Sequence, residues 1–303
     1  MGPARRDVDQ DHRRHRARAA RAAHAQREGE LVADLRYFVV DAFAERAFRG
    51  NPAAVVPLEA WLPDELMQSI AGELALSETA FFCREGEALR LRWFTPAVEV
   101  DLCGHATLAS SFVLMTKLEP QRTRVAFQSR SGELFVERSG ETFTLDFPAW
   151  RAQPEPDAGV RDQVAAALGK RPRELWRGRD LFAVYDSPED VRRLAPDFAK
   201  MKQIDVHAIC ATARGDRGAP STGSRGPDFV SRFFAPAQGI DEDPVTGSAH
   251  CTLTPLWAER LGKTSMTAHQ ISKRGGVLDV ALAGDRVRIG GRGILVASGA
   301  LHL

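Results

Sequence analysis

Two short segments, far apart in the chain, carry residues that could do acid–base chemistry beside a helix N-terminus. They are residues 101–107 (Asp-Leu-Cys-Gly-His-Ala-Thr) and residues 243–250 (Asp-Pro-Val-Thr-Gly-Ser-Ala-His). Each is a tight, glycine-containing loop that leads into an apolar stretch with helical periodicity. The first turn of such a helix presents unpaired backbone N–H groups, which bind anions. The two segments therefore predict two related halves whose helix ends hold one small carboxylate from opposite sides.

Glu78 is a further candidate, because it stands in Leu-Ser-Glu-Thr-Ala-Phe-Phe at the entry to a predicted strand. A carboxylate among apolar neighbours suits proton transfer near neutral pH, although a surface glutamate at a strand end explains the same residue. His105 follows a glycine at a predicted helix start, where side chain and backbone N–H groups converge. Asp243 precedes Pro244, and an N-cap or turn role is its structural alternative. Ser248 likewise fits an ordinary first-turn residue.

The sequence gives no sign of a metal or a nucleotide cofactor. Cys103 with His105, and His250 with Cys251, match no zinc-ligand spacing, and adjacent residues seldom reach the same metal. Neither G-x-G-x-x-G nor a Walker A pattern occurs, and turns or bulges explain the paired glycines near the C-terminus. We therefore expect chemistry that uses neither a metal nor a cofactor.

Composition bounds the class of protein. The 303 residues carry a net charge of +1, with 44% hydrophobic and 27% charged residues, as in an ordinary globular protein of one large or two medium domains. The balanced charge favours neither nucleic acid nor a membrane as partner. No apolar run approaches the roughly 18–20 residues of a membrane helix. Four scattered cysteines favour a reducing compartment, so we expect a cytoplasmic protein.

The elements that must position these candidates are many short strands with one long helix in each half. The two long helices follow the loops within residues 101–116 and 243–261, and shorter helices are expected near 63–74 and 159–168. The pattern predicts an α+β fold of two domains, each with a strongly curved sheet around one helix. Strands are expected near residues 35–43, 54–56, 79–83, 89–94, 123–128, 133–137, 142–147, 180–185, 206–213, 228–234, 266–272, 277–283, 285–289 and 293–299.

Composition divides the chain into three segments. Residues 1–34 form a basic Arg/Ala-rich extension that we expect to be disordered or helical. Residues 35–149 are predicted to form an N-terminal barrel-like domain, and residues 150–303 a C-terminal one. The boundary falls in the Pro-rich stretch 150–157. The Gly/Pro/Ser/Arg-rich stretch 215–227 is expected to be a long mobile surface loop inside the second half.

Five short motifs occur in a fixed order. They are Val-Asp-Ala-Phe at 40–43, Gly-Asn-Pro-Ala-Ala-Val at 50–55, Ser-Glu-Thr-Ala-Phe at 77–81, Gly-His-Ala-Thr at 104–107 and the segment 243–250. From about residue 36 to the C-terminus, their order and spacing resemble the PhzF-type phenazine biosynthesis protein family. The resemblance implies the diaminopimelate epimerase-like fold. That fold has two pseudo-symmetric domains, each a barrel-like sheet around a central helix, with the active site in the cleft between them.

The resemblance also implies an enzyme that needs no cofactor and is commonly a homodimer. The namesake of the family isomerises trans-2,3-dihydro-3-hydroxyanthranilate by moving a hydrogen from one ring carbon to another. Glu78 matches the acid/base carboxylate of the family. The catalytic set implied for this chain is Glu78, His105 and Asp243, and the substrate-binding set is Ser77, Gly104, Gly247 and Ser248.

The function predicted from these residues is isomerisation by proton transfer between carbons of a small carboxylate-bearing substrate. Related amino-acid epimerases use two facing cysteines, one from each domain. Cys103 falls at the place of the first thiol, whereas Pro244 occupies the second place, and Cys251 lies too far along the helix to substitute. A cysteine-assisted epimerase or racemase is therefore one alternative, and a non-catalytic small-molecule binding protein is another.

Overall fold

Seventeen strands and six α-helices account for most of the chain that the computed structural model describes, residues 34–216 and 226–303. The predicted basic extension lies outside the described residues except for its last residue, Asp34, and residues 217–225 of the predicted loop lie outside them too. None of the described helices is long and apolar enough to cross a membrane.

The elements follow the predicted order closely, and the largest difference is one long C-terminal strand in place of two short ones. In chain order the strands are β1 Asp34–Ala42, β2 Asn51–Leu58, β3 Glu78–Glu85, β4 Ala88–Phe94, β5 Glu99–Val100, β6 Arg124–Ser129, β7 Gly132–Ser139, β8 Thr142–Pro148, β9 Gln153–Pro154, β10 Glu174–Arg177, β11 Leu181–Tyr185, β12 Ile209–Arg214, β13 Phe229–Ala235, β14 Ile240–Asp243, β15 Ser265–Gln270, β16 Gly276–Ala283 and β17 Arg286–His302. The helices are α1 Asp64–Leu74, α2 Gly104–Val113, α3 Ala158–Leu168, α4 Pro188–Arg192, α5 Phe198–Met201 and α6 Gly247–Leu261.

The strand pairing of the first half is repeated in the second. In the first half β2 is parallel to β3, β3 is antiparallel to β4, and β4 pairs with both β5 and β6 before the antiparallel series β6–β7–β8. Strands β11 to β17 repeat this series of parallel and antiparallel pairs in the same order. In both halves the long helix, α2 or α6, occupies the connection after the β5 or β14 strand. The prediction of two pseudo-symmetric α+β halves is confirmed.

Strand β17 joins the two halves. Its residues 293–302 pair with β1, which closes β1-β2-β3-β4-β6-β7-β8-β17 into an eight-stranded barrel. Its residues 286–290 pair with β8 on one side and reach β16 on the other, so the strand belongs to both sheets. The division of the chain at residue 150 stays a prediction, since the last strand of the chain completes the barrel of the first half.

The long helix of the first half is enclosed by its barrel on all sides. Every residue from His105 to Ser111 is buried. The hydroxyls of Thr107, Ser110 and Ser111 donate to the carbonyls four residues earlier, at 2.6, 2.8 and 2.8 Å. These small side chains satisfy their own polar groups within the helix, so the barrel can pack around α2 without water.

The long helix of the second half contains a proline, which ties the helix to the interdomain connection. Pro255 has no N–H to donate to the Cys251 carbonyl four residues earlier. That carbonyl instead accepts a hydrogen bond from the Trp150 backbone N–H, at 3.0 Å. The connection after β8 is thereby held against the N-terminal half of α6.

Candidate active site

The two predicted helix starts meet in the structure. A Cβ atom built on Gly104 would lie 3.7 Å from Gly247 Cα, and one built on Gly247 would lie 3.7 Å from Gly104 Cα. The residues before the helices, Cys103 and Thr246, are extended, and neither side chain caps its own helix. The first-turn N–H groups of both helices are therefore left for a ligand, and an anion between them gains from both helix dipoles.

A cleft of about 260 Å³ opens at this meeting point. Six of the seven predicted site residues line it: Glu78, Gly104, His105, Asp243, Gly247 and Ser248. Ser77 does not line the cleft. The volume lies below the roughly 300–1,000 Å³ typical of pockets for drug-sized ligands, so the cleft suits a small molecule.

Glu78 lies at the start of β3, where parallel pairing with β2 brings its carboxylate next to α2. The residue is 9% exposed, and its Oε2 atom is 3.0 Å from His105 Nε2. Glu78 also lines the cleft. A buried carboxylate that faces a cleft can take a proton from a bound molecule.

Cys103 completes this group, with its Sγ atom 3.5 Å from His105 Nδ1. Burial and the charge of Glu78 raise the pKa of Cys103, so the sulfur is a neutral thiol near pH 7. Burial alone would lower the pKa of His105, but the Cys103 sulfur and the Glu78 carboxylate outweigh it and hold the pKa well above its usual value. Since the thiol is neutral, we assign this effect chiefly to Glu78. The arrangement is a buried imidazolium paired with a carboxylate.

Asn51 connects the two halves of the site. Its Nδ2 atom lies 2.8 Å from Asp243 Oδ1, 3.0 Å from Val245 O and 3.2 Å from His105 Nδ1. Its Oδ1 accepts a hydrogen bond from Ser77 Oγ at 3.1 Å. The two amide hydrogens go to Asp243 Oδ1 and Val245 O, and the amide packs beside the His105 ring, so Asn51 places Asp243 next to His105. Asn51 belongs to the Gly-Asn-Pro motif, and its place in that motif was the sequence feature from which a role in the site could have been predicted.

Asp243 is held by a second network at the start of α6. Its carboxylate accepts a hydrogen bond from Thr246 Oγ1 at 2.5 Å, and its backbone carbonyl accepts one from Gln270 Nε2 at 2.8 Å. Gln270 Oε1 in turn accepts the Thr246 N–H at 2.9 Å. Burial raises the pKa of Asp243 to about 6, with a smaller increase from Glu78, against hydrogen bonds and His105 that lower it. Asp243 therefore titrates near neutral pH in a fixed position.

One wall of the cleft contains Arg179 and His207, which were not predicted from the sequence. Both lie near the ends of strands in the second half, and no local pattern marks them. Cys251 also lines the cleft, although its place in the helix had suggested that it was too remote. Burial raises the pKa of Cys251 to about 12, so it is a neutral thiol as well.

The residues that could hold a metal are Glu78, Cys103 and His105, whose ligand atoms all lie within 4.8 Å of one another. A metal would have to displace the protons of Cys103 and His105, and the pKa of each is raised. These protonation states oppose metal binding at neutral pH. Metal-free chemistry stays a prediction.

Similarity to known proteins agrees with this geometry. The family model "Phenazine biosynthesis-like protein" (PhzC-PhzF) matches residues 40–299. An uncharacterized isomerase of Pseudomonas aeruginosa is 52% identical over 270 residues, which cover 89% of this chain and 99% of that protein. The crystal structure of a PhzF-family phenazine biosynthesis protein from Enterococcus faecalis is 45% identical and superposes with a TM-score of 0.84, covering 89% of this chain and 100% of the other.

A more distant solved structure shares the fold. A predicted epimerase from Pseudomonas aeruginosa is 23% identical and superposes with a TM-score of 0.68, over 88% of this chain and 99% of the other, which shows a shared fold. The diaminopimelate epimerase-like fold expected from the sequence motifs is confirmed. The matched family model, the identities and the superpositions agree, and the chain belongs to the PhzF-type phenazine biosynthesis-like protein family.

Proposed function

We propose that the protein is a cofactor-independent isomerase that moves a proton between carbons of a small carboxylate-bearing substrate. Glu78 is the general acid/base, and the cleft between the two helix starts is the active site. The observation that carries this proposal is the buried Glu78 carboxylate, which lines the cleft and whose Oε2 lies 3.0 Å from His105 Nε2. The similarity to proteins named as isomerases supports the same class of reaction.

The reaction begins when the substrate carboxylate binds the N–H groups at the starts of α2 and α6. Glu78 then takes a proton from a carbon next to an electron-withdrawing group, and the C–H electron pair moves into the conjugated system of the substrate. Helix N-termini and the His105 imidazolium stabilise the negative charge that develops. Glu78 returns the same proton to a different carbon, which regenerates the carboxylate and needs no other reactant.

Asp243 acts from the other side as a positioning and acid–base group. Through Asn51 it fixes the imidazole of His105, and through Thr246 it fixes the start of α6. With a pKa of about 6 it is mostly ionised at neutral pH and balances the His105 imidazolium. Ser248 and Gly247 line the cleft beside it and contribute to substrate binding.

The test is proton exchange in heavy water. The purified protein is incubated with a panel of small carboxylates that includes dihydrohydroxyanthranilate and several amino acids, and mass spectrometry detects deuterium gain or a changed isomer. The variant Glu78→Gln keeps the size of the side chain and removes the base, so we expect exchange to fall by about 10²–10⁴-fold. Glu85→Gln, an exposed glutamate on the same strand, is the matched control and should exchange at the wild-type rate.

Exchange that persists at the wild-type rate in Glu78→Gln would contradict the proposal. Ligand binding without exchange or isomerisation of any panel member would instead favour the non-catalytic binding protein.

A cysteine-assisted epimerase is the second candidate, and the contact between Cys103 and His105 is the observation that favours it. Cys251 lines the same cleft, so two thiols are present. The raised pKa of both thiols makes each a poor base near pH 7, and for this reason we place the Glu78 mechanism first. Homodimer formation and a cytoplasmic location stay predictions.

A further inference from the structure

Arg179 is the only arginine or lysine among the described residues that line the cleft. It lies in the turn between β10 and β11, where the Gly178 N–H donates to the Asp180 carbonyl at 3.0 Å. The Arg179 side chain is partly exposed. A mechanism that binds one carboxylate at the helix starts and moves one proton through Glu78 has no use for this guanidinium.

The guanidinium is held in place on three sides. It lies over the Trp150 ring, 5.8 Å from the ring centre, and its Nε is 3.6 Å from Asp180 Oδ1. Its Nη2 lies 3.3 and 3.4 Å from the two ring nitrogens of His207, so the imidazole packs against it. Nη1 forms no hydrogen bond with any described residue. An arginine fixed in this way loses little side-chain entropy when it binds a planar anion.

Asp180 supports this arrangement from behind. It is 2% exposed, does not line the cleft, and accepts a hydrogen bond from His207 Nδ1 at 2.7 Å. His207 Nε2 is therefore the ring nitrogen without a proton when the ring is neutral. Asp180 thus orients both side chains, while the cleft receives the Arg179 guanidinium and the His207 ring.

Arg179 is also tied to the helix whose start would hold the first carboxylate. Trp150, whose ring lies under the guanidinium, donates its backbone N–H to the Cys251 carbonyl of α6 at 3.0 Å. Cys251 lines the same cleft. Arg179 and the two helix starts thus line one cleft of about 260 Å³.

We propose that Arg179 binds a second acidic group of the substrate, so that the cleft takes small dicarboxylates in preference to monocarboxylates. The proposal rests on the proposed function for the first carboxylate, which lies at the starts of α2 and α6. A guanidinium with free N–H donors pairs with a carboxylate through charge-assisted hydrogen bonds. Arg179 then determines specificity and takes no part in the proton transfer.

The experiment measures binding by isothermal titration calorimetry, because binding needs no turnover. The probes are matched pairs of one diacid and one monoacid, glutarate with pentanoate and succinate with butanoate. We expect the wild-type protein to bind each diacid at least about tenfold more tightly than its monoacid. Arg179→Gln should lose that preference and bind the monoacids as the wild type does. Arg179→Lys should keep part of it, since lysine supplies the charge without the planar fork.

Arg288→Gln is the matched control, because Arg288 is an exposed arginine of β17 that does not line the cleft. It should keep the full preference. A preference that survives Arg179→Gln, or a wild-type protein that binds diacids no better than monoacids, overturns the inference. Glu78→Gln should keep the preference for diacids, because Arg179 sets it. Heavy-water exchange that persists in Glu78→Gln would contradict the proposed function without affecting the preference for diacids.

Discussion

The starts of α2 and α6 occupy equivalent places in two halves with the same strand pairing, yet they carry different chemistry. At the start of α2 the strand β3 contributes Glu78 beside His105. The matching strand β12 begins after Ala208 with Ile209, and both are buried and apolar. The second half therefore has no carboxylate at the strand position that matches Glu78, and its carboxylate in the cleft, Asp243, comes from β14 instead. The proposed one-base mechanism through Glu78 needs no matching group on β12, whereas a two-base epimerase needs a base in each half.

The largest expected effect that separates the two helix starts comes from their histidines. Burial lowers the pKa of His250 to about 4, and this neutral ring donates from Nδ1 to Thr246 O at 2.8 Å. We expect His105→Gln to lower kcat/KM by about 10²–10⁴-fold, because it removes a charged group beside Glu78. His250→Gln should lower the free energy of unfolding by about 1–3 kcal/mol and leave kcat within a few-fold. Steady-state kinetics and urea unfolding measure the two effects.

A loss of kcat in His250→Gln at unchanged stability would show that both histidines take part in the reaction. The comparison between the two helix starts would then fail.

The next effect concerns the pH dependence of stability at the start of α6. Because burial raises the pKa of Asp243 to about 6, the folded protein keeps this proton to a higher pH than the unfolded chain does. The contribution of the Asp243 proton to the free energy of unfolding is therefore fully present below pH about 4 and is lost as the pH rises through about 6. Asp243→Asn should remove this pH-dependent loss. Between pH about 4 and about 6, the free energy of unfolding of the wild type should fall by about 1–3 kcal/mol more than that of the variant. Urea unfolding at several pH values measures it.

Asp241→Asn changes an exposed aspartate of the same strand and serves as the control. If the wild type and Asp243→Asn show parallel stability profiles between pH 4 and 6, Asp243 is not the buried acid that the geometry indicates.

The smallest expected effect comes from the thiols. With Glu78 as the base, Cys103→Ser leaves the general base in place and should slow proton exchange by less than about tenfold. Loss of the general base itself would slow exchange by about 10²–10⁴-fold. Cys251→Ser should behave in the same way, since its thiol is neutral near pH 7. Heavy-water exchange measures both variants. A fall of about a thousandfold in Cys103→Ser alone would move the base from Glu78 to the sulfur.

Local patterns in the sequence predicted the parts of the site that depend on neighbours in the chain. The helix expected from residue 243 onward begins at Gly247, and the helix expected within 101–116 begins at Gly104 and continues as a π-helical turn to Leu118. Glycine at the loop ends and apolar periodicity are local signals, so these elements could be found without a structure.

The parts that the sequence did not predict depend on pairing between distant residues. Arg179 and His207 come together because β11 and β12 are parallel neighbours, and no spacing within the chain marks that contact. The two strands expected at 285–289 and 293–299 form one strand, because β1 and β8 pair with it along its whole length. The glycines between residues 290 and 293 suggested a break between two strands, but Gly291 allows Phe43, and Gly293 allows Phe112, to pack against one continuous strand.

The pairing of β1 with β17 also means that the barrel of the first half cannot close until the ribosome has synthesised β17. Asp34 pairs with His302, so β1, the first described strand, finds its partner 268 residues later in the chain. At about 5–20 residues per second, the first half waits roughly 10–30 s before β17 is made. Until β17 has been made, β1 therefore keeps an open edge that chaperones can bind. A chain that stops before β17 would leave the barrel of the first half open and β16 without its partner strand.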